Sequence, residues 1–353
     1  MGTKGEHAAR QTEVTIAATR ATLGGARNKF PRGASDRGGG AELGGRVIRA
    51  GRAVYHGDRI QRDLARGYNR PVSDFSEPWR LILSPASSGP THMAVDEAIL
   101  DSVAVGTSPA MLRLYAWSPA CLSLGYAQEA EDVDLERLRA RGWDLVRRPT
   151  GGRAILHTDE ITYAVIGPAS DPRFAGGILD SYRRLSAALA DALTRLGVQG
   201  LTSASSVRRD DRDADPICFE NPGPYEMMVA GRKLIGSAQV RRRSAVLQHG
   251  SLPLGGDLGR ICQVLRYGDE GARERAGQRL HARAATLSEV LARPVGWHEA
   301  ALGIREGFQH ALGIEFEEAD LSPGERNRAD SLRAQHSDPQ WTTAHRERRP
   351  VVN

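Results

Sequence analysis

Four short stretches hold the residues whose types could do chemistry. In ICFENPGPYE a lone cysteine, Cys218, lies between Ile217 and Phe219; such a thiol is either a small buried hydrophobe or, once ionised, a nucleophile. GRKLIGSAQ, residues 231–239, puts Lys233 on a strand among small residues, where its ammonium either reaches water or meets a group that the small neighbours let approach. RRPTGGR, residues 147–153, is a turn needing positive φ, or a loop whose N–H groups and arginines approach an anionic or carbonyl ligand. LQHGS, residues 247–251, sets His249 beside Gly250, as a satisfied structural histidine or as a base. Taken singly, each stretch favours its plainer reading.

The pattern around them is mixed α and β. WRLIL predicts a first strand, and Gly89-Pro90 opens a helix through THMAVDEAILDSV, with proline in the first turn where its missing N–H costs nothing. MLRLYAW and CLSLGY read as strands, LERLRARG as a helix capped by Asp132 or Asp134, and WDLVRR, RAILH and ITYAVIG as further strands. Between Gly177 and Gly197, Ile178, Tyr182, Leu185, Leu189, Leu193 and Leu196 recur at steps of three and four, an apolar stripe suited to packing on a sheet. Residues 202–216 are polar and predict a mobile loop. YEMMV and RKLIGSAQV flank Ala230-Gly231 as a hairpin, and AVLQHGSLPL follows as a strand. Past residue 256 the pattern turns helical, with capping boxes opened by Thr286 and Ser322. This order implies an α+β fold, a mixed β-sheet domain with flanking helices and a small helical C-terminal extension.

Composition excludes several classes. Cys121, Cys218 and Cys262 are too few and too irregularly spaced for a disulfide framework or a tetrahedral zinc site, so a reducing, cytoplasmic setting and no metal are expected. No apolar run approaches the ~20 residues of a membrane span. The net charge of +5 is uneven: residues 1–70 carry 14 Lys and Arg against 6 Asp and Glu, which leaves the remainder at −3. A nucleic-acid role would rest on that tail alone, because the rest shows no basic stripe interleaved with aromatics. Residues 1–76, rich in Gly, Ala and Arg and without apolar period, read as a disordered tail.

In this order and spacing, RRPTGGRAILH, CFENPGPYE, GRKLIGSAQVR and LQHGSLPL resemble the lipoate–biotin protein ligase and acyltransferase superfamily, most nearly its cysteine-dependent octanoyltransferase branch, the LipM type. The likeness extends over roughly residues 79–345 and takes in HMAVDEAIL and LRLYAWSPACLSLGYAQ. It implies a sheet domain of the biotin/lipoate ligase type: residues 77–256 hold the catalytic part and 257–353 its helical extension. The implied reaction moves octanoyl from acyl carrier protein to a lysine of the glycine cleavage H protein or another lipoyl domain, without a cofactor. Cys218 would carry the acyl group as a thioester, with Lys233 favouring its ionised form. Arg148, Gly151, Gly152, Arg153, His157, Tyr225, Gly236, Ser237, Ala238, His249 and Gly250 would form the substrate site. A thiolate suits such a transfer, being both a strong nucleophile and a good leaving group. Two related activities compete: an ATP-dependent lipoate–protein ligase, which needs the lysine but no nucleophilic cysteine, and an amidotransferase moving octanoyl between lipoyl domains. No nucleic-acid or membrane partner is expected, and the chain is expected to be a monomer.

Overall fold

The computed structural model describes residues 77–203, 217–218 and 226–344. Tyr225 and residues 204–216 of the expected loop lie outside the described residues. The first half runs β1 (Trp79–Leu83), α1 (Gly89–Ala104), β2 (Met111–Tyr115), β3 (Cys121–Leu124), α2 (Leu135–Ala140), β4 (Asp144–Arg147), β5 (Ile155–His157), β6 (Glu160–Pro168), α3 (Ile178–Arg195) and β7 (Leu201–Ser203). There follow β8 (Met227–Val229), β9 (Arg232–Lys233), β10 (Gly236–Arg242), β11 (Ala245–Pro253), α4 (Glu270–Arg283), α5 (Leu287–Leu291), α6 (Trp297–Leu312), β12 (Phe316–Glu318), α7 (Pro323–Ser337) and α8 (Pro339–Thr343).

The main sheet has the order β10-β11-β6-β2-β1-β12, antiparallel from β10 to β2 and parallel from β2 through β1 to β12. Strand alternation divides β6 between two cores. Ile161, Tyr163 and Val165 join Leu185, Leu189, Leu193 and Phe308, from α3 and α6, on one face. Ala164 and Ile166 join Met93, Ile99 and Val103 of α1, with Ala329 and Leu332 of α7 behind them, on the other. The stripe predicted on α3 thus buries Leu185, Leu189 and Leu193, while Ile178 and Tyr182 nearer its start are not among the buried core.

Two smaller sheets flank the main one. β4-β3-β5 packs its own apolar cluster, including Leu122, Ile155, Ile261 and Leu280, against α4 and the 3-10 helix Leu258–Val264. β7-β8-β9 is an antiparallel meander. Its tight turn places Ala230 at φ 48° and Gly231 at φ 76°, the two positive φ values that a two-residue hairpin of this hand requires.

Three elements depart from the sequence pattern, the first being β7, whose Thr202 and Ser203 pair with β8 where the polar residues read as a loop. RKLIGSAQV is not one strand: β9 ends at Lys233, Leu234 and Ile235 are buried as the chain crosses, and β10 begins at Gly236 in the main sheet. Short apolar runs carry no mark of such a change of sheet. Phe316–Glu318 forms an edge strand parallel to β1, in a region whose pattern reads as helical. The capping box of α7 does double duty there, since Glu325 accepts from the Ser322 N–H at 2.7 Å and from Arg80 of β1 at 2.8 Å. Among the described residues no helix is long and apolar enough to cross a membrane.

Candidate active site

Residues facing one another across antiparallel strands share a face, so the main sheet turns two transverse rows toward α1. One row runs Ala238, His249, Ala164, Arg113; the next runs Gly236, Ser251, Thr162, Tyr115. All of these residues except Ala164 and Arg113 line the floor of a cavity of about 430 Å³ that opens to solvent. Met93 of α1, Trp117, and Ser123, Ile155 and His157 of the β3–β5 sheet wall it, together with Arg148, Gly152 and Cys218.

Cys218 reaches this wall because Ile217 bridges Ala154, and the Cys218 N–H donates to the Ala154 carbonyl at 3.0 Å. Lys233 lies behind it, completely buried. Its Nζ is 3.7 Å from Cys218 Sγ, donates to the Cys218 carbonyl at 3.0 Å, and pairs with Glu226 Oε1 at 2.8 Å. Burial pushes the Lys233 amine down, but its interactions with Cys218 and Glu226 outweigh it and hold the group above its ordinary value. Lys233 is therefore an ammonium beside the sulfur throughout the neutral range. Cys121 is the opposite case: burial first, then the charges of Asp144 and Glu160, push its thiol well up and keep it protonated.

The rest of the wall is polar and tightly bonded. Arg148 donates from Nη2 to the carbonyls of Gly151 at 2.9 Å and Arg153 at 2.8 Å, and from Nη1 to Ser123, so this guanidinium clamps the RRPTGGR turn from inside. Burial brings it down to about 10, the nearby Cys218 opposing and Arg147 assisting, and it remains a cation. Gly152 sits at φ +98°, and a Cβ there would stand 2.8 Å from Arg148 Nη2. Gly250 is equally constrained, for a Cβ would lie 2.6 Å from both the Gly236 carbonyl and the Tyr163 ring.

Two buried carboxylates anchor the floor. Asp96 of α1 receives Arg113 at 2.7 Å, the Tyr115 hydroxyl at 3.1 Å and, more distantly, His249 Nδ1 at 3.5 Å, while His249 Nε2 meets Thr150 at 2.7 Å. Burial would raise the Asp96 carboxyl, yet Arg113 and His249 together hold it below its ordinary value. Glu160 receives His157 Nδ1 at 2.7 Å and the hydroxyls of Thr162 and Ser251. It is likewise held down against burial, chiefly by His157. Among the described residues no three His, Cys, Asp or Glu side chains converge as a metal set.

Residues 88–309, with this cavity inside them, match the lipoyl protein ligase A/B catalytic domain. The chain belongs to that family. Within it the chain groups with the LipM-type octanoyltransferases. The proteins named octanoyltransferase LipM from Kyrpidia tusciae and Moorella thermoacetica are 39% and 41% identical to it, each over 269 residues that cover 75% of this chain and 98% of theirs. Among solved structures, a bipartite lipoate protein ligase from Thermoplasma acidophilum superposes with TM-score 0.64 at 25% identity, covering 78% of this chain and 99% of that one. A lipoate-protein ligase A bound with ATP gives 0.62 at 25% identity, over 75% and 98%. The mixed sheet with flanking helices is thus the ligase fold.

Nine residues singled out from the sequence meet at the cavity: Arg148, Gly152, His157, Cys218, Gly236, Ser237, Ala238, His249 and Gly250. Lys233 stands behind Cys218, and Gly151 and Arg153 take part through their carbonyls on Arg148. Tyr225 is outside the described residues. The sequence reading missed Asp96, Arg113, Trp117, Ser123, Glu160 and Glu226. One signal was present, since Asp96-Glu97 stands between the apolar runs Met93-Ala94-Val95 and Ala98-Ile99-Leu100 of that helix.

Proposed function

We propose that this LipM-type octanoyltransferase takes octanoyl from octanoyl acyl carrier protein onto Cys218 as a thioester and passes it to a lysine of a lipoyl domain, the glycine cleavage H protein first among candidates. The observation that carries this reading is the 3.7 Å approach of Lys233 Nζ to Cys218 Sγ at the wall of a cavity lined by Met93, Tyr115, Trp117, Ile155 and Ala238. Those apolar surfaces suit an unbranched acyl chain, and the ammonium favours the thiolate both as nucleophile in the first half-reaction and as leaving group in the second. Glu226, paired with Lys233, fixes where that charge sits.

Intact mass spectrometry tests this directly. Octanoyl acyl carrier protein alone should add one octanoyl to the chain, in a form that hydroxylamine releases and apo H protein accepts. Cys218→Ala should abolish both adduct and transfer, whereas Cys121→Ala and Cys262→Ala should retain them. Lys233→Ala should slow adduct formation by about tenfold or more at neutral pH, where a free thiol is only a few per cent ionised. A parent chain that forms no adduct, with a Cys218→Ala chain that still attaches free octanoate given ATP and magnesium, would replace this reading by the ligase one.

A further inference from the structure

A second set of groups in the same wall has the order of a general-base relay, and the thiol–ammonium pair makes no use of it. Ser123 Oγ lies 2.8 Å from His157 Nε2, and His157 Nδ1 lies 2.7 Å from Glu160 Oε1. The direction of each bond is fixed by its neighbours. Glu160 is held as a carboxylate, so Nδ1 carries the proton and donates to it. In the neutral imidazole Nε2 then offers its lone pair, to which the Ser123 hydroxyl donates. Arg148 Nη1 donates to Ser123 Oγ at 3.2 Å and occupies one of that oxygen's two acceptor positions. One acceptor position remains, on a serine that lines the cavity holding Cys218. The Trp117 ring stacks on His157 with centroids 4.0 Å apart and holds the imidazole in plane.

The second half-reaction has a need this arrangement fits. A lysine amine that attacks a thioester must shed a proton as the nitrogen becomes an amide, and Lys233, ion-paired with Glu226 at 2.8 Å, is committed as a cation to the departing sulfur. We propose that Ser123 and His157 relay this proton: the acceptor lysine's amine delivers it to Ser123 Oγ while the serine hydrogen passes to His157 Nε2. The proposal rests on Cys218 as the acyl carrier. In this step the neutral amine nitrogen bonds to the acyl carbon, the carbon–sulfur bond breaks, and Cys218 Sγ leaves as thiolate beside Lys233. The proton ends on an imidazolium whose Nδ1 faces the Glu160 carboxylate, and it then passes to solvent, so charge and atoms balance. General-base assistance contributes about 10²–10⁴-fold in such transfers.

The test compares three rates in the full chain: acylation of Cys218 by octanoyl acyl carrier protein, release of that octanoyl to hydroxylamine, and its transfer to the lysine of an apo lipoyl domain. Hydroxylamine is largely neutral and strongly nucleophilic near neutral pH, so its attack depends little on a protein base. For His157→Gln, transfer to lysine should fall by about 10²-fold more than acylation or hydroxylamine release, which themselves fall to the extent that the cavity wall is disturbed. Ser123→Ala leaves His157 on Glu160 and serves as the second variant should His157→Gln fail to fold. It should show the same selective loss. Unchanged lysine transfer in a variant that acylates normally overturns the relay, and so does an equal slowing of all three steps, which marks a merely structural role. A parent chain with no acyl adduct overturns the Cys218 reading, and the relay falls with it, so the two failures are distinguishable.

Discussion

The two faces of the main sheet are built from the same strands and do different work. Toward α3 and α6 the sheet presents Leu112, Leu114, Ile161, Tyr163 and Val165, a mainly apolar core whose polar groups, Gln239, Gln248 and the Tyr163 hydroxyl, are uncharged and bonded to one another or to Ser181 and Ser237. Toward α1 it begins in the same manner with Met111, Ala164 and Ile166, then gives way to Arg113, His249, Thr162 and Ser251 around two buried carboxylates. Burying charge is costly unless every group is paired, so the face that holds the cavity is stable only as a complete network. The apolar face tolerates change in proportion to volume; the polar face tolerates it according to whether a charge is left alone.

The comparison is most severely tested at the Arg113–Asp96 pair. Asp96→Asn leaves the Arg113 cation buried with no counter-charge at 2.7 Å, and should lower unfolding stability by about 3–5 kcal/mol in urea titrations, with transfer activity falling as well. On the opposite face Leu189→Ala should cost about 2–5 kcal/mol by opening a cavity, yet leave the transfer rate per folded molecule within a few-fold of the parent. Equal loss of activity in both variants would show that the faces are not separable. The smallest effect concerns pH. Burial first, then Arg113, bring His92 down to about 3, whereas in the unfolded chain it titrates near 6.5. Between those values the unfolded state binds a proton that the folded state refuses, so stability is full above the upper value and declines as pH falls toward the lower. His249, also depressed by burial, adds in the same direction. Asp96 and Glu160 have lowered values and lose their contribution only at still more acidic pH. The melting temperature should therefore drop between about pH 7.5 and 5, and His92→Gln should flatten that slope; an unchanged slope would remove His92 from the account.

How much of this is legible in the sequence follows from chain separation. Cys218 reaches Lys233 through the Ile217–Ala154 bridge, which no local pattern marks, whereas the hairpin that carries Lys233 is local and Ala230-Gly231 announces its turn in residue types alone. The RRPTGGR turn and its internal arginine clamp are local for the same reason. The floor is another matter. His249 meets Ala238 by a hairpin, but it meets Ala164, and Ala164 meets Arg113, only through the order in which β11, β6 and β2 pair. No periodicity within a strand specifies that order. Ser123 finds His157 through the pairing of β3 with β5, and Glu160 finds Ser251 by β6 with β11, so both looked like ordinary polar strand residues. β12 was hidden because a three-residue strand between two helices has no alternation to detect.

The backbone anchorage of Lys233 has a consequence for how the sequence can drift. Its carbonyl accepts the Ala285 N–H at 3.0 Å, and its strand bridges Ala284, so the junction between α4 and α5 serves as a rail along which the lysine is held. The rail acts through main-chain groups, and its chemistry is therefore indifferent to side-chain identity but sensitive to length and to proline, which has no N–H to give. Helix α4 can change its exposed residues freely, while a single inserted residue between Leu280 and Thr286 would shift the hydrogen-bonding phase at Lys233 and move the charge off the sulfur. Length, and not composition, is what this part of the chain must inherit.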